Sequence, residues 1–176
     1  MGLNVSKWVA SAACGLVVLA GAAAADTKVE LKGVHLCCGA CVKGVATALK
    51  GVEGVTPKCD QKAKTVTLTA TDAAAAAKGL DALAAAGYFG ETGDPALVLK
   101  PGSAPKGKVK TVTLTGIHNC CGGCNTAIKT AVKSVDGVKA ETTKARATTF
   151  DVTGDFEPGA VIKALNAAGF NAKVKD

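Results

Sequence analysis

Two short stretches of this 176-residue chain concentrate its soft metal-binding side chains. The first, from Gly33 to Cys41, reads GVHLCCGAC, and the second, from Gly116 to Cys124, reads GIHNCCGGC. Together they hold both histidines and six of the eight cysteines in the sequence. Thiolate sulfur and imidazole nitrogen bind soft ions such as Cu(I) and Zn(II). The pattern therefore predicts a metal site in each stretch.

A C-x-x-C pair anchors each predicted site. Cys38 and Cys41 form the first pair, and Cys121 and Cys124 form the second. Each pair comes where a helical pattern begins, and the free amides and partial positive charge of a helix start favour thiolates. A single C-x-x-C is a moderate signal, but two copies in the same context form a strong one.

Each stretch also carries two further donors, so that both read H-x-C-C-x-x-C. These donors are His35 and Cys37 in the first copy and His118 and Cys120 in the second. Three cysteines and one histidine are a set that closes a tetrahedral Zn(II) site, whereas two or three cysteines hold Cu(I) at low coordination. Adjacent side chains usually diverge, so Cys37 and Cys38 are not expected to bind the same ion without backbone strain. One of the two is then a spare, a disulfide partner or a bridge to a second ion. A histidine on a loop is often only a surface residue, but its recurrence at equivalent positions favours a functional role.

The two stretches belong to a longer internal repeat. A shift of 83 residues places His35 on His118, and after Asp72 and Asp155 the shift becomes 82. This indicates duplication of a whole domain. The predicted boundaries are a first domain at 26–93, a linker rich in proline and glycine at 94–108, and a second domain at 109–176. Within the linker, residues 96–99 are apolar enough to add an edge strand.

Hydrophobic periodicity predicts the same elements in both copies. A first strand precedes the cysteine loop, a helix follows it, then come two strands, a second helix and a short last strand. The predicted second helices are 73–86 and 158–168, the strand pairs are 55–59 with 65–69 and 139–143 with 148–152, and the last strands are 88–92 and 171–174. This βαββαβ order is a ferredoxin-like α+β unit. The chain is thus predicted to hold two such domains in tandem.

Each copy resembles a heavy-metal-associated domain, the module of copper chaperones, periplasmic mercuric-ion-binding proteins and the N-terminal arms of copper-transporting ATPases. The resemblance rests on a glycine followed by a hydrophobic residue, the C-x-x-C at a helix start, and a closing Ala-Gly-Tyr or Ala-Gly-Phe. It implies about one soft metal ion per domain, with Cu(I) favoured and Zn(II) or Hg(II) as alternatives. It also implies a metal-transporting membrane protein or another metal carrier as a partner.

The sequence departs from the family pattern G-M-x-C-x-x-C. Its glycines lie five residues before the C-x-x-C, so each loop is two residues longer. Leu36 and Asn119 stand where the family has the methionine that packs beneath the loop. The aromatic residues Tyr88 and Phe170 match a family position beside the metal site, although core packing explains them equally well. Cys59 has no counterpart in the second copy and is predicted to be a half-buried strand residue.

The N-terminus has the order of a secretory signal. Lys7 precedes an apolar stretch, and Ala23-Ala24-Ala25 precedes Asp26, so residues 1–25 are predicted to be cleaved. An uncleaved membrane anchor is the alternative. The prediction is an exported, periplasmic or extracytoplasmic protein with no stable membrane association after cleavage.

Composition and motifs limit the function classes. Net charge is +7, but aromatic residues are only 3% of the chain and no long basic run occurs, which argues against nucleic-acid binding. No pattern typical of a catalytic triad or a phosphate-binding loop is present, so the prediction is a non-enzymatic metal-binding protein. The alternatives are an extracytoplasmic thiol-disulfide oxidoreductase that uses the C-x-x-C pairs, and cysteines that only staple loops.

Overall fold

A computed structural model describes residues 26–175. The predicted signal peptide lies outside the described residues. Within the described range, no helix combines the length and the apolar character needed to cross a membrane.

The first structural unit spans residues 27–92. Its elements are β1 (Thr27–Lys32), α1 (Gly39–Ala48), β2 (Val55–Asp60), β3 (Thr65–Ala70), α2 (Ala73–Ala85) and β4 (Glu91–Thr92). The four strands form an antiparallel sheet in the order β2-β3-β1-β4. In β1 the side chains of Val29 and Leu31 are buried and their neighbours are more exposed, so one face of the sheet packs on the helices.

The second unit, residues 109–174, repeats this architecture. Its elements are β5 (Val109–Thr115), α3 (Gly122–Lys133), β6 (Val138–Glu141), β7 (Thr149–Phe156), α4 (Pro158–Ala167) and β8 (Lys173–Val174). The strand order is β6-β7-β5-β8, again antiparallel. The predicted α+β fold is confirmed, and both sheets are consistent with ferredoxin-like units.

Local chemistry explains where the second helices begin and end. Asp72 caps α2 by accepting a hydrogen bond of 2.7 Å from the amide of Ala75, and Pro158 occupies the first position of α4. Gly87 and Gly169 follow these helices with φ of +83° and +85°. That left-handed conformation is the usual helix stop and favours glycine.

The last strand of the first unit is shorter than the sequence predicts. Residues 88–92 were expected to be extended, but β4 contains only Glu91 and Thr92. The reason is a contact between the units, because Tyr88 forms an antiparallel bridge with Phe170 instead of continuing the first sheet.

The connecting segment packs against both units. Residues 96–99 do not form a strand; instead Leu97 and Leu99 are buried in the core. Asn171 fastens the segment, since its Oδ1 accepts a hydrogen bond from the amide of Gly102 and its Nδ2 donates to the carbonyl of Ala84 in α2. A single side chain of the second unit thus joins the first unit and the linker.

Candidate metal centre

The cysteine loops end where the first helix of each unit begins. Cys38 and Cys121 have extended backbones and directly precede α1 and α3. Cys41 and Cys124 lie in the first helical turns and are completely buried. Each C-x-x-C pair therefore spans a helix start, with sulfur–sulfur distances of 3.8 Å in the first pair and 3.7 Å in the second.

The two loops face each other, so that the sulfurs of both units form one cluster. Between the units, Cys37 Sγ lies 3.4 Å from Cys121 Sγ and 3.6 Å from Cys124 Sγ, and Cys41 Sγ lies 3.7 Å from Cys124 Sγ. Cys120 Sγ lies 3.6 Å from Cys41 Sγ. A disulfide bond is about 2.0 Å long, and all seven cysteines of residues 26–175 are free thiols. The two sites that the sequence predicts separately are thus adjacent halves of one site.

The eight predicted donors all lie in or beside this cluster. Their nitrogen and sulfur atoms form four overlapping groups whose members lie within 4.8 Å of one another: Cys41, His118, Cys120 and Cys124; His35, Cys37 and Cys124; Cys37, Cys38 and Cys41; Cys38, Cys120 and Cys121. Three of the four groups contain donors from both loops. Cys59 lies on β2, half-buried and outside the cluster, where burial raises its pKa.

The cluster thiols differ in their readiness to lose a proton. Burial raises the pKa of Cys37 and raises the pKa of Cys120 to about 12. The nearby amide of Cys124 lowers the pKa of Cys121 to about 6, although it does not complete a capping hydrogen bond to that sulfur. Cys41 and Cys124 hold one proton between them, because the hydrogen bond that joins them lowers the pKa of Cys41 and raises that of Cys124. The site therefore contains thiolate, the form that binds metal.

Each histidine stacks on an aromatic ring of the opposite unit. The rings of His118 and Tyr88 have centroids 4.3 Å apart, and so do those of His35 and Phe170. Burial lowers the pKa of His35, which favours the neutral imidazole that can bind a metal ion. The sequence allowed Tyr88 and Phe170 to be either core residues or neighbours of the metal site. Both side chains are fully buried, and both rings also stack on the site histidines.

The two stacked pairs differ by one hydroxyl group. Tyr88 donates a hydrogen bond of 2.8 Å to the carbonyl of Cys41, and its oxygen lies 3.2 Å from His118 Nε2. Phe170 has no hydroxyl, and His35 Nε2 is buried without a hydrogen-bond partner. Burial raises the pKa of Tyr88, so this group stays protonated.

A glycine makes room for that hydroxyl. A Cβ atom on Gly44 in α1 would collide with the Tyr88 oxygen and lie 3.0 Å from His118 Cε1. By the repeat, the position equivalent to Gly44 in α3 is Ala127, and the residue equivalent to Tyr88 is Phe170, which lacks the oxygen. The glycine–tyrosine and alanine–phenylalanine combinations are therefore matched in volume. The paired differences between the two repeats at these positions are visible in the sequence itself.

Two further glycines allow the units to approach closely. A Cβ atom on Gly87 would meet the backbone from Gly116 to His118, and one on Gly169 would meet the backbone from Gly33 to His35. Backbone hydrogen bonds cross the same interface, including Asn171 N to Gly87 O at 2.9 Å and His35 N to Gly169 O at 3.3 Å. Both glycines also end helices, and that role alone accounts for their presence in the sequence.

The buried residues beneath the two loops differ in polarity. Leu36 is buried in the hydrophobic core, as the family's methionine would be. Asn119 is equally buried and donates hydrogen bonds of 2.8 Å and 3.2 Å from Nδ2 to the carbonyls of Lys144 and Ala147. The asparagine thus fastens its loop to the turn between β6 and β7.

Comparison with known proteins agrees with the chemistry of this centre. Residues 111–171 match the heavy-metal-associated domain family. No curated protein matches the sequence. Among solved structures, the chain is similar to the solution structure of the N-terminal soluble domains of Bacillus subtilis CopA, with 16% identity, a TM-score of 0.31, and coverage of 86% of this chain and 95% of that chain. Residues 111–171 thus form a heavy-metal-associated domain, a type of domain that binds heavy-metal ions.

Proposed function

We propose that this chain is an exported, non-enzymatic carrier, buffer or scavenger of soft metal ions, with Cu(I) as the favoured ion. One observation carries the proposal: six cysteine sulfurs and two histidines from two separate loops converge on one partly buried centre. Zn(II) and Hg(II) are the alternative ions. The proposed ligands are Cys37, Cys38, Cys41, Cys120, Cys121 and Cys124, assisted by His35 and His118.

The composition of the donor set favours a soft, weakly hydrated ion. Sulfur outnumbers every other donor type, and soft thiolate ligands select Cu(I) and Zn(II) over hard cations. Metal binding releases protons from thiols, so affinity falls as pH falls.

The thiol-disulfide oxidoreductase is the less favoured alternative. Such an enzyme exposes a thiolate to attack a substrate disulfide. Here the two C-x-x-C pairs do not stand as separate dithiols, because their sulfurs lie 3.7 to 3.8 Å apart across the units and are joined by Cys37 and Cys120 in one cluster of six. Disulfide exchange uses two thiols, whereas a cluster of six sulfurs supports binding of soft ions.

The remaining parts of the proposal concern the whole protein. We infer a first domain at residues 26–93, a linker at 94–108 and a second domain at 109–176. Export follows from the signal-like residues 1–25, and the mature N-terminus measured on secreted protein tests it. A metal-transporting membrane protein or another metal carrier is the proposed partner.

The deciding experiment is native mass spectrometry of the reduced protein with Cu(I) and Zn(II) in competition. We expect Cu(I) to be retained in the presence of a competing chelator and excess Zn(II). Reduction of insulin disulfides by the protein, together with no retained metal, would replace this proposal with the oxidoreductase.

A further inference from the structure

The six sulfurs lie at the corners of a distorted octahedron. Its measured edges run from 3.4 to 4.0 Å, and the two remaining edges, Cys37–Cys38 and Cys120–Cys121, are at most 4.8 Å. The pairs of opposite corners are Cys37 with Cys120, Cys38 with Cys124, and Cys41 with Cys121. Every opposite pair contains one cysteine from each loop, so neither unit can form this polyhedron alone.

Each triangular face of the octahedron has the size of a three-sulfur metal site. A soft ion about 2.3 Å from each of three sulfurs, in their plane, separates those sulfurs by about 4.0 Å. The face formed by Cys41, Cys120 and Cys124 has edges of 3.6, 3.7 and 3.7 Å. The face formed by Cys37, Cys121 and Cys124 has edges of 3.4, 3.6 and 3.7 Å. Small outward movements of the thiols are enough to admit an ion.

The polyhedron also determines how many ions fit. Neighbouring faces of an octahedron share an edge, which is two sulfurs, whereas alternate faces share only one corner. Four faces can be chosen that meet only at corners, so four ions fit, one on each face. One such set is Cys37-Cys38-Cys41, Cys37-Cys121-Cys124, Cys38-Cys120-Cys121 and Cys41-Cys120-Cys124. The octahedron has a second set of four alternate faces. Exchanging the two repeats by their near-twofold symmetry converts the first set into the second. His118, within 4.8 Å of the last face, distinguishes the two sets.

Charge favours monovalent ions on these faces. Six thiolates with four monovalent ions carry a net charge of −2, whereas one divalent ion leaves −4 in a partly buried site. Zn(II) in addition takes four ligands in structural sites rather than three. Loading consumes four Cu(I) and releases the protons of those thiols that are still protonated.

Building on the proposed soft-metal function, we propose that the chain binds a single cluster of four Cu(I) ions bridged by all six cysteines, rather than about one ion per domain. Each sulfur bridges two ions, and each ion has three sulfur ligands. The histidines flank the cluster and the two repeats close around it.

Stoichiometry and metal–metal distance test this cluster directly. Reduced protein is titrated with Cu(I) in the presence of a competing chelator, and native mass spectrometry counts the retained ions. X-ray absorption on the loaded sample reports the sulfur ligands and any short copper–copper path. We expect saturation at four ions per monomeric chain, three sulfurs per copper and a copper–copper path.

Two cysteine variants sharpen the result. Cys37→Ser removes an exposed corner shared by two of the four faces, so saturation is expected to fall to at most two ions. Cys59→Ser is the matched control, because Cys59 lies outside the cluster, and it is expected to keep four. Circular dichroism establishes that both variants are folded.

The outcomes separate the cluster from the underlying function. Saturation at one or two ions, four ions without a copper–copper path, or four ions in folded Cys37→Ser would overturn the cluster and leave soft-metal binding intact. No retained Cu(I) at all would overturn both.

Discussion

The hydroxyl of Tyr88 bridges the two halves of the molecule, 2.8 Å from the carbonyl of Cys41 in its own unit and 3.2 Å from His118 Nε2 in the other. The same ring stacks on the imidazole. One phenol thus fixes the orientation of a candidate ligand and touches the helix that carries a cluster cysteine.

Tyr88→Phe is expected to lower the free energy of unfolding by about 1–3 kcal/mol, because it leaves His118 Nε2 and the Cys41 carbonyl without this partner. Urea unfolding of the metal-free protein measures the loss. Nitrogen-15 NMR of the imidazoles provides an internal control, since His35 stacks on Phe170 and has no such hydroxyl. An unshifted His118 signal in the variant would contradict the hydrogen bond.

Gly44→Ala is expected to destabilise the protein by about 1–3 kcal/mol through overpacking against Tyr88, although alanine is the better helix former. Combining it with Tyr88→Phe is expected to recover most of that loss, because the second unit already has Ala127 and Phe170 at these positions. Urea unfolding of the single and double variants measures the coupling.

Gly159→Ala is the matched control for this cycle. Gly159 lies in α4 with open space at its Cβ position, so no loss of stability is expected. Strictly additive effects of Gly44→Ala and Tyr88→Phe would show that the two positions are not matched in volume.

Gly87→Ala is expected to separate the units, since the new methyl group would meet the backbone of Gly116 to His118. Gly51→Ala is the control, because Gly51 also has a positive φ, +92°, but nothing near its Cβ position. Both variants carry about 1–2 kcal/mol of left-handed backbone strain, so this strain does not distinguish them. Only Gly87→Ala is expected to reduce the number of Cu(I) ions bound and to enlarge the radius of gyration measured by X-ray scattering. Equal behaviour of the two variants would show that the interface does not depend on this close approach.

Cys121 is expected to be the most acidic readily alkylated thiol of the metal-free protein. Its pKa is about 6, against an ordinary value of 9.0, so about nine-tenths of it is thiolate at pH 7. Cys120, next in the chain, has a pKa of about 12 and stays protonated. The alkylation rate of each cysteine is measured against pH by peptide mass spectrometry. The rate at Cys121 should rise with a midpoint near pH 6, and a common midpoint near pH 9 for Cys121 and Cys120 would refute the difference.

The same shifts have opposite effects on stability. The pKa of Cys121 is lowered on folding, so its stabilising contribution is complete above pH 9 and is lost as the pH falls through 6. The pKa of Cys120 is raised, so its contribution is complete below pH 9 and is lost as the pH rises through 12.

The repeat made much of the fold predictable. Matching His35 to His118 defined equivalent elements twice, and alternation such as Val29 and Leu31 identified strands because one face of each sheet is buried. Tyr88 was wrongly placed in a continuous last strand, since its backbone pairs with Phe170 across the interface. Local periodicity contains no information about such a pairing.

The donors of the site were predictable, but their convergence was not. Their residue types and spacing identified all eight donors, whose assignment as ligands stays a prediction. An internal repeat shows which residues are equivalent, and equivalent residues need not touch. Contact between the loops depends on Gly87 and Gly169, whose identity was already explained by the helix ends that they form.

Duplication within one chain has a consequence for how the centre assembles. Two separate copies of a single unit would have to meet by diffusion before their thiols could share an ion. Here the packed segment that holds Leu97 and Leu99 keeps both halves together, which turns that encounter into an intramolecular step with a high effective concentration. We therefore expect cluster formation to withstand dilution of the protein, so that the number of ions bound per chain is the same at low and at high protein concentration.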